Sequence, residues 1–108
     1  MNKEQELLKL YSNKGFIIDN EEIIIFKEYC LDYIQSCKKS NLIILGIDGY
    51  YLEDTIIRVN ALEIFDFSKT QKDIKNCYTL AETCISNMLN TDSSNGYIFT
   101  LSDKSILS

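Results

Sequence analysis

The chain has 108 residues, a net charge of −5, 45% hydrophobic residues and 25% charged residues, which is typical of one globular domain with a single core. It contains no run of about 20 apolar residues and no apolar signal region near its N-terminus, so we expect a cytoplasmic protein without a membrane partner. The absence of histidine removes the commonest general base and the commonest metal ligand.

The negative charge is concentrated in residues 41–68, which hold five acidic residues and a single base, Arg58. Four of the five net negative charges therefore belong to this segment. A field concentrated in this way repels nucleic acid and attracts basic protein surfaces. The alternative is that these acids are solvated loop residues that only keep the protein soluble.

The N-terminal forty residues are predicted to be helical. Leu7, Leu8 and Tyr11 lie at helical spacing within a first helix over Lys3–Asn13, which we expect to stop at Asn13–Gly15 with the glycine as its C-cap. Residues 16–18 form a short apolar link.

A second, longer amphipathic helix is predicted from Asp19 to Lys39, with Asp19 as N-cap and Glu22 completing a capping box. Its apolar stripe contains Ile23, Phe26, Cys30, Tyr33 and Cys37. Because the segment Ile23–Phe26 is itself β-prone, the start of this helix could lie further along the chain.

The middle of the chain is predicted to be a sheet. Asn41–Asp48 indicates a buried strand that turns sharply at Gly46 and Gly49, and Tyr50–Asp54 indicates a connection. Thr55–Ala61 and Leu62–Phe67 are β-rich, with a turn or bulge near residues 60–62, so one bent strand and two paired strands both remain possible.

The last third returns to a helix and a strand. Ser68 and Thr70 compete as N-cap of a third helix, whose stripe includes Cys77 and Cys84. Asn90–Gly96 is a polar loop and Gly96–Ser102 a strand. The order α-α-β-β(-β)-α-β predicts a single α+β domain over residues 1–108, with a small, mainly antiparallel sheet of three to four strands and helices on one face.

The four cysteines form two pairs, Cys30/Cys37 and Cys77/Cys84, each separated by seven positions. Two helical turns rise about 10.5 Å, too far for both thiolates of one pair to reach a zinc ion at about 2.3 Å. We therefore expect buried thiols that act as small hydrophobic residues, and no metal or other cofactor. A disulfide between the two helices is the less favoured alternative in a reducing compartment.

A group of acidic residues and tyrosines between positions 48 and 66 favours protein binding, and we call it the acidic rim. Tyrosines are enriched in interface cores, and acids steer basic partners. Arg58 could orient the rim by pairing with Asp48, Glu63 or Asp66, or could form an exposed cross-strand ion pair of little value. The predicted partner-binding residues of the acidic rim are Asp48, Tyr50, Tyr51, Glu53, Asp54, Glu63 and Asp66.

Several short motifs follow one another in the second half of the chain. ILGIDG at Ile44–Gly49 is followed by Arg58, an aromatic residue at Phe65, a helix, and a closing strand that opens with NGY at Asn95–Tyr97. With these features, Asn41–Ser102 resembles the immunity protein of the colicin whose toxin domain cleaves tRNA anticodons.

The resemblance implies a specific function. Such proteins are not enzymes; they stay in the cytoplasm of the producing cell and bind the nuclease domain of a toxin, covering its basic RNA-binding cleft in effect as an RNA mimic. Tyr50 and Tyr51 depart from the aromatic arrangement expected of the family, which indicates a surface adapted to another toxin.

Three hypotheses follow from the sequence. The first is an immunity protein or antitoxin that binds a cognate toxin nuclease through the acidic rim. The second is a generic interaction module without a toxin partner. The third is a small enzyme that uses Asp48, Glu53 and a tyrosine, which would need a deep pocket holding those side chains.

Overall fold

We analysed a computed structural model of the chain, which describes residues 3–18, 22–53, 56–89 and 94–103. The helices are α1 (Lys3–Leu10), α2 (Cys30–Lys39), α3 (Gln71–Lys75) and α4 (Cys77–Met88), and a 3₁₀ turn spans Lys27–Tyr29. The strands are β1 (Gly15–Ile18), β2 (Glu22–Phe26), β3 (Leu42–Glu53), β4 (Ile56–Asp66) and β5 (Gly96–Asp103).

The five strands form one antiparallel sheet in the order β1-β2-β5-β3-β4. This confirms the α+β class and the antiparallel sheet, although the sheet has more strands than the three to four predicted. The last strand in the sequence is the central one, since β5 lies between β2 and β3.

The prediction of one long second helix was wrong in its first half. Ile23–Phe26 is part of strand β2, residues 16–18 belong to strand β1, and helix α2 begins only at Cys30. Isoleucines 23–25 are β-branched, and they are buried in the sheet, which outweighs the helical spacing of the stripe. The predicted N-cap, Asp19, lies outside the described residues.

The helices cover one face of the sheet, which the side-chain contacts identify. The Tyr33 ring of α2 lies 4.8 Å from the Phe99 ring of β5, and the Tyr97 hydroxyl contacts the Met88 sulfur of α4 at 3.4 Å. Phe99 pairs with Ile47 of β3, and paired residues share a face. The core therefore lies between α2, α4 and the face that carries Ile47, Tyr97 and Phe99.

Strand β3 is longer than predicted. It continues through Tyr50 to Glu53, where a connection was expected, and neither Gly46 nor Gly49 has a positive φ. The expected sharp turn at these glycines was therefore wrong. Gly49 serves close packing instead, because a Cβ atom there would collide with the Ser94 hydroxyl and lie 3.1 Å from Glu63 Cβ.

Strand β4 confirms the predicted bulge. Asp48 pairs with Ile64 and Tyr50 pairs with Val59, so the single residue Gly49 of β3 faces four residues of β4. The structure thus has one bent strand, β4, where the sequence left one or two strands possible. Of the predicted ranges, Thr55 lies outside the described residues and Phe67 lies just beyond the strand. The bulge exposes 91% of Leu62 and turns Asn60 and Glu63 inward.

Two helix ends differ from expectation. Helix α1 stops at Leu10, and Gly15 begins β1 with no positive φ rather than capping the helix. The third helix is divided at Asn76 into α3 and α4, and Thr70 is the N-cap of α3, accepting a hydrogen bond from the Asp73 amide at 3.0 Å. The predicted loop Asn90–Gly96 falls largely on residues outside the described part.

Three of the four cysteines are core residues, as the helical stripes predicted. Cys30, Cys37 and Cys77 are buried, Cys84 is half-buried, and all four are free thiols. Burial raises the pKa of Cys37, with a further contribution from Cys77 and Glu4, to about 12. In the described part of the chain, no helix has the length and hydropathy needed to cross a membrane.

Alkaline pH should therefore destabilise the fold. Burial also raises the pKa of Tyr78 to about 12, and both groups are neutral in the core. A raised pKa means that their contribution is complete below their ordinary pKa values of 9.0 and 10.0 and is lost as pH approaches 12. In urea unfolding followed by circular dichroism from pH 7.5 to 10.5, we expect the free energy of unfolding to fall above pH 9, by at most about 1.4 kcal/mol per pH unit for Cys37 and by less for Tyr78, which is half-buried and partly screened by solvent.

The variant Cys37→Ala is the control for this measurement. It should have lower stability at every pH because the core loses the sulfur atom, but a shallower decline above pH 9. An unchanged slope in the variant would show that Cys37 does not contribute to the alkaline transition.

Candidate protein-binding surface

The face of the sheet opposite the helices carries one part of the acidic rim. Asp48 pairs with Ile64 and with Ile98, so all three point away from the helix-covered face of Ile47 and Phe99. Strand alternation places further side chains beside them. We call this surface the open face, and its members are Glu22, Asp48, Tyr50, Val59, Ile64 and Ile98.

The open face exposes apolar side chains next to its acids. Val59 and Ile64 of the edge strand β4 are 51% and 54% exposed. Ile24, on the same side of β2, is fully buried and would meet any Cβ atom placed at Gly96. The result is a sheet surface in which aliphatic groups and carboxylates lie side by side, which is the composition of a protein-binding surface.

Within the described part of the chain, no base forms an ion pair with the acids of the open face. Asp48 is half-buried and forms no ion pair with any residue that the structure describes. Burial raises its pKa, and burial raises the pKa of Tyr50, with the charges of Asp48 and Glu22 adding to the effect. Three acidic or potentially acidic groups thus share one field, and no described base forms an ion pair with them, so a cation from a partner would be stabilised there.

A different part of the acidic rim lies on the opposite side. Consecutive strand residues point to opposite faces, so Tyr51 and Glu53 are separated from Tyr50. Arg58 pairs with Glu53 at 3.1 Å and lies 5.4 Å from the centre of the Tyr51 ring. The predicted pairing of Arg58 with Asp48, Glu63 or Asp66 was therefore wrong. Because the side chains of Arg58 and Glu53 are both more than half exposed, their ion pair adds little stability.

The ends of β3 and β4 form a two-stranded arm that continues past the start of β5. The last register pair between β3 and β5 is Tyr50–Gly96, whereas the β3–β4 pairing continues to Glu53. Asn95 attaches the arm to the sheet: its amide donates to the Tyr50 carbonyl at 2.9 Å, and its side-chain oxygen accepts from the Leu52 amide at 2.8 Å. The NGY motif thus contains the residue that extends the ladder.

Glu63 was predicted to bind a partner, but the structure buries it. Only 8% of Glu63 is exposed, and one of its carboxylate oxygens accepts hydrogen bonds from Asn60, Tyr97, and both the amide and the hydroxyl of Ser94. We call these four residues the Glu63 cluster. Its carboxylate is directed at protein donors, so its role in this structure is to hold the bulge, not to meet a partner.

The two remaining acids of the rim differ from each other. Asp66 pairs with Gly46 and so lies on the side of the open face, where its exposed carboxylate accepts from the Ser68 amide at 2.8 Å and the Ser68 hydroxyl. These hydrogen bonds lower its pKa. Asp54 lies outside the described residues.

One cleft of about 240 Å³ opens at the junction of α1, β2 and β5. Neither of the two acids that the enzyme hypothesis named, Asp48 and Glu53, lines it. Its acidic residues are Glu4 and Glu22, which the sequence did not single out as binding residues. The β propensity of Ile23–Phe26 was the available signal, because a strand there places Glu22 at the edge of a sheet.

Comparison with known proteins found no relative of this chain. The chain matches no protein-family model, no curated protein and no solved structure. Among the residues that the structure describes, no three histidine, cysteine, aspartate or glutamate side chains are grouped so that they could hold a metal ion.

The Glu63 cluster should be essential for stability. Glu63→Leu leaves several buried donors without an acceptor, and we expect it to lower the free energy of unfolding by about 3 kcal/mol, with Glu63→Gln losing about half as much. The matched control is Glu53→Gln, which removes an exposed charge and should change stability by less than about 0.5 kcal/mol. Chemical denaturation of the three variants measures the differences; a Glu63→Leu protein as stable as the control would contradict the assigned role.

Proposed function

We propose that this protein is an immunity protein, or antitoxin, that neutralises a nuclease toxin by covering the basic active-site cleft of the toxin with its open face. The observation that carries the proposal is the uncompensated acidic charge of Asp48 and Glu22 around Tyr50 on a rigid sheet. The motif resemblance of residues 41–102 to the immunity protein of a tRNA-cleaving colicin adds the class of partner.

The charge distribution supports a basic partner. The whole chain carries a net charge of −5, and the open face presents its carboxylates without a matching base among the described residues. Such a surface accelerates encounter with a positively charged protein and repels RNA itself. A nuclease must present cations around its phosphate-binding cleft, so the two surfaces are complementary in sign.

The side chains of the open face suggest how the complex would be held. Tyr50 is half-buried beside Asp48, so it is pre-ordered and offers both an aromatic ring and a hydroxyl. Val59 and Ile64 add exposed apolar area around it. In this proposal Asp48 and Glu22 steer the toxin, Tyr50 anchors it, and the aliphatic residues exclude water from the contact.

The test begins with the product of a neighbouring reading frame that encodes a toxin domain. Co-expression should rescue growth, and the two proteins should co-purify. With the purified pair, Asp48→Asn should slow association by roughly threefold to tenfold at low salt and weaken its salt dependence. Tyr50→Ala should act mainly on dissociation and cost about 2 kcal/mol of binding free energy.

Two controls separate binding from folding. Glu53→Gln and Tyr51→Ala change the opposite side of the arm and should leave association unchanged. Because burial raises the pKa of Asp48, its charged form is disfavoured in the free protein, and Asp48→Asn should preserve or raise the free energy of unfolding while weakening binding. Equal effects of Asp48→Asn and Glu53→Gln on association would reject the open face, and failure to inhibit any neighbouring toxin would reject the function.

A further inference from the structure

Strands β2 and β5 are paired over only part of their length. These strands pair only at Ile25–Tyr97 and Phe26–Gly96, whereas β5 continues to Asp103. Over residues 98–101, the edge of β5 that faces away from β3 has no neighbouring strand among the described residues. An unpaired strand edge presents carbonyl oxygens and amide groups to whatever enters beside it.

The 240 Å³ cleft lies along this edge. Residues Ile98, Phe99, Thr100 and Leu101 all line it, although successive side chains of a strand point to opposite faces. A cavity that all four residues line must therefore border the edge of the strand itself. Its remaining walls come from helices α1 and α2 and from the first residues of β2.

The walls of the cleft combine apolar sides with negative charge. Leu8, Ile23, Tyr33 and Leu101 supply apolar surface, and Glu4 and Glu22 are the charged residues that line the cleft. Both glutamates are exposed, and Glu4 acts on Tyr33: burial raises the pKa of that tyrosine, and Glu4 is one of the charges that add to the effect. Among the residues that the structure describes, none that lines the cleft is basic.

The volume of the cleft limits what it can bind. Pockets for small organic ligands measure about 300–1,000 Å³, so this cleft is too small for a typical cofactor or drug-sized molecule. A single long side chain with an apolar stem and a cationic end fits such a space. Arginine fits better than lysine, because its planar group donates five hydrogen bonds and the carboxylates of Glu4 and Glu22 can only accept them.

We propose that this cleft, between α1, β2 and the unpaired edge of β5, receives an arginine side chain from the partner. The stem lies against Leu8, Ile23 and Leu101, and the guanidinium donates to Glu4, to Glu22 and to edge carbonyls of β5. Glu22 also belongs to the open face, so the cleft continues that surface. The partner named here rests on the proposed function, whereas the arginine site is testable without a toxin.

The direct test uses the capped tripeptide acetyl-Gly-Arg-Gly-amide and the full-length, ¹⁵N-labelled protein. Nuclear magnetic resonance titration should shift the backbone amide signals of residues 98–101. The matched peptide with citrulline, which is nearly isosteric but uncharged, should bind at least about fivefold more weakly, since hydrogen bonds to charged groups contribute about twice as much as neutral ones. Glu4→Gln should lower affinity for the arginine peptide toward that of the citrulline peptide.

The outcomes separate the two proposals. Arginine-specific shifts that Glu4→Gln abolishes support the site even if no nuclease is inhibited. Equal binding of both peptides, or shifts that Glu4→Gln leaves unchanged, overturn it even where Asp48→Asn shows that the open face binds a toxin. Shifts of the same amides on dilution of the protein alone would identify a second copy of this chain as the occupant and would also overturn the proposal.

Discussion

The fold depends on one buried carboxylate. Glu63 accepts hydrogen bonds from Asn60 of its own strand and from Ser94 and Tyr97, and so joins two segments that are more than thirty positions apart in the sequence. The bulge in β4 brings Glu63 inward, Gly49 leaves the space it needs, and Tyr97 connects the cluster to Met88 of α4. Because an unpaired buried charge costs several kcal/mol, these parts support each other: the bulge, the glycine and the loop before β5 are required together.

Much of the fold followed from local pattern. The buried strand over Asn41–Asp48, the bulge near residues 60–62, an N-cap at either Ser68 or Thr70 and the closing strand were all visible, since each depends on neighbouring residues. The β1–β2 hairpin was missed for a physical reason. Ile23, Phe26 and Cys30 satisfy a helical period, and only burial between β1 and β5 decides in favour of the strand, which is a tertiary effect that no local window contains.

The candidate surface was less predictable than the fold. The acids of the surface were expected in residues 41–68, but composition does not reveal to which side of the sheet each side chain points. Strand alternation places Tyr50 and Tyr51 on opposite sides, the bulge turns Glu63 inward, and Arg58 is directed to Glu53. Glu22 and Glu4 come from segments that seemed to be plain helix, and only the order of strands in the sheet brings Glu22 beside Tyr50.

The central position of β5 also constrains how the chain acquires its structure. Neither β2 nor β3 has its full set of neighbours until residues 96–103 have been synthesised, although both strands precede them by more than forty positions. Contacts of such long sequence separation form slowly, because the loop must close before they stabilise anything. The isoleucine-rich segments 23–25 and 42–47 must therefore remain exposed on the nascent chain, where they are open to chaperones and to aggregation.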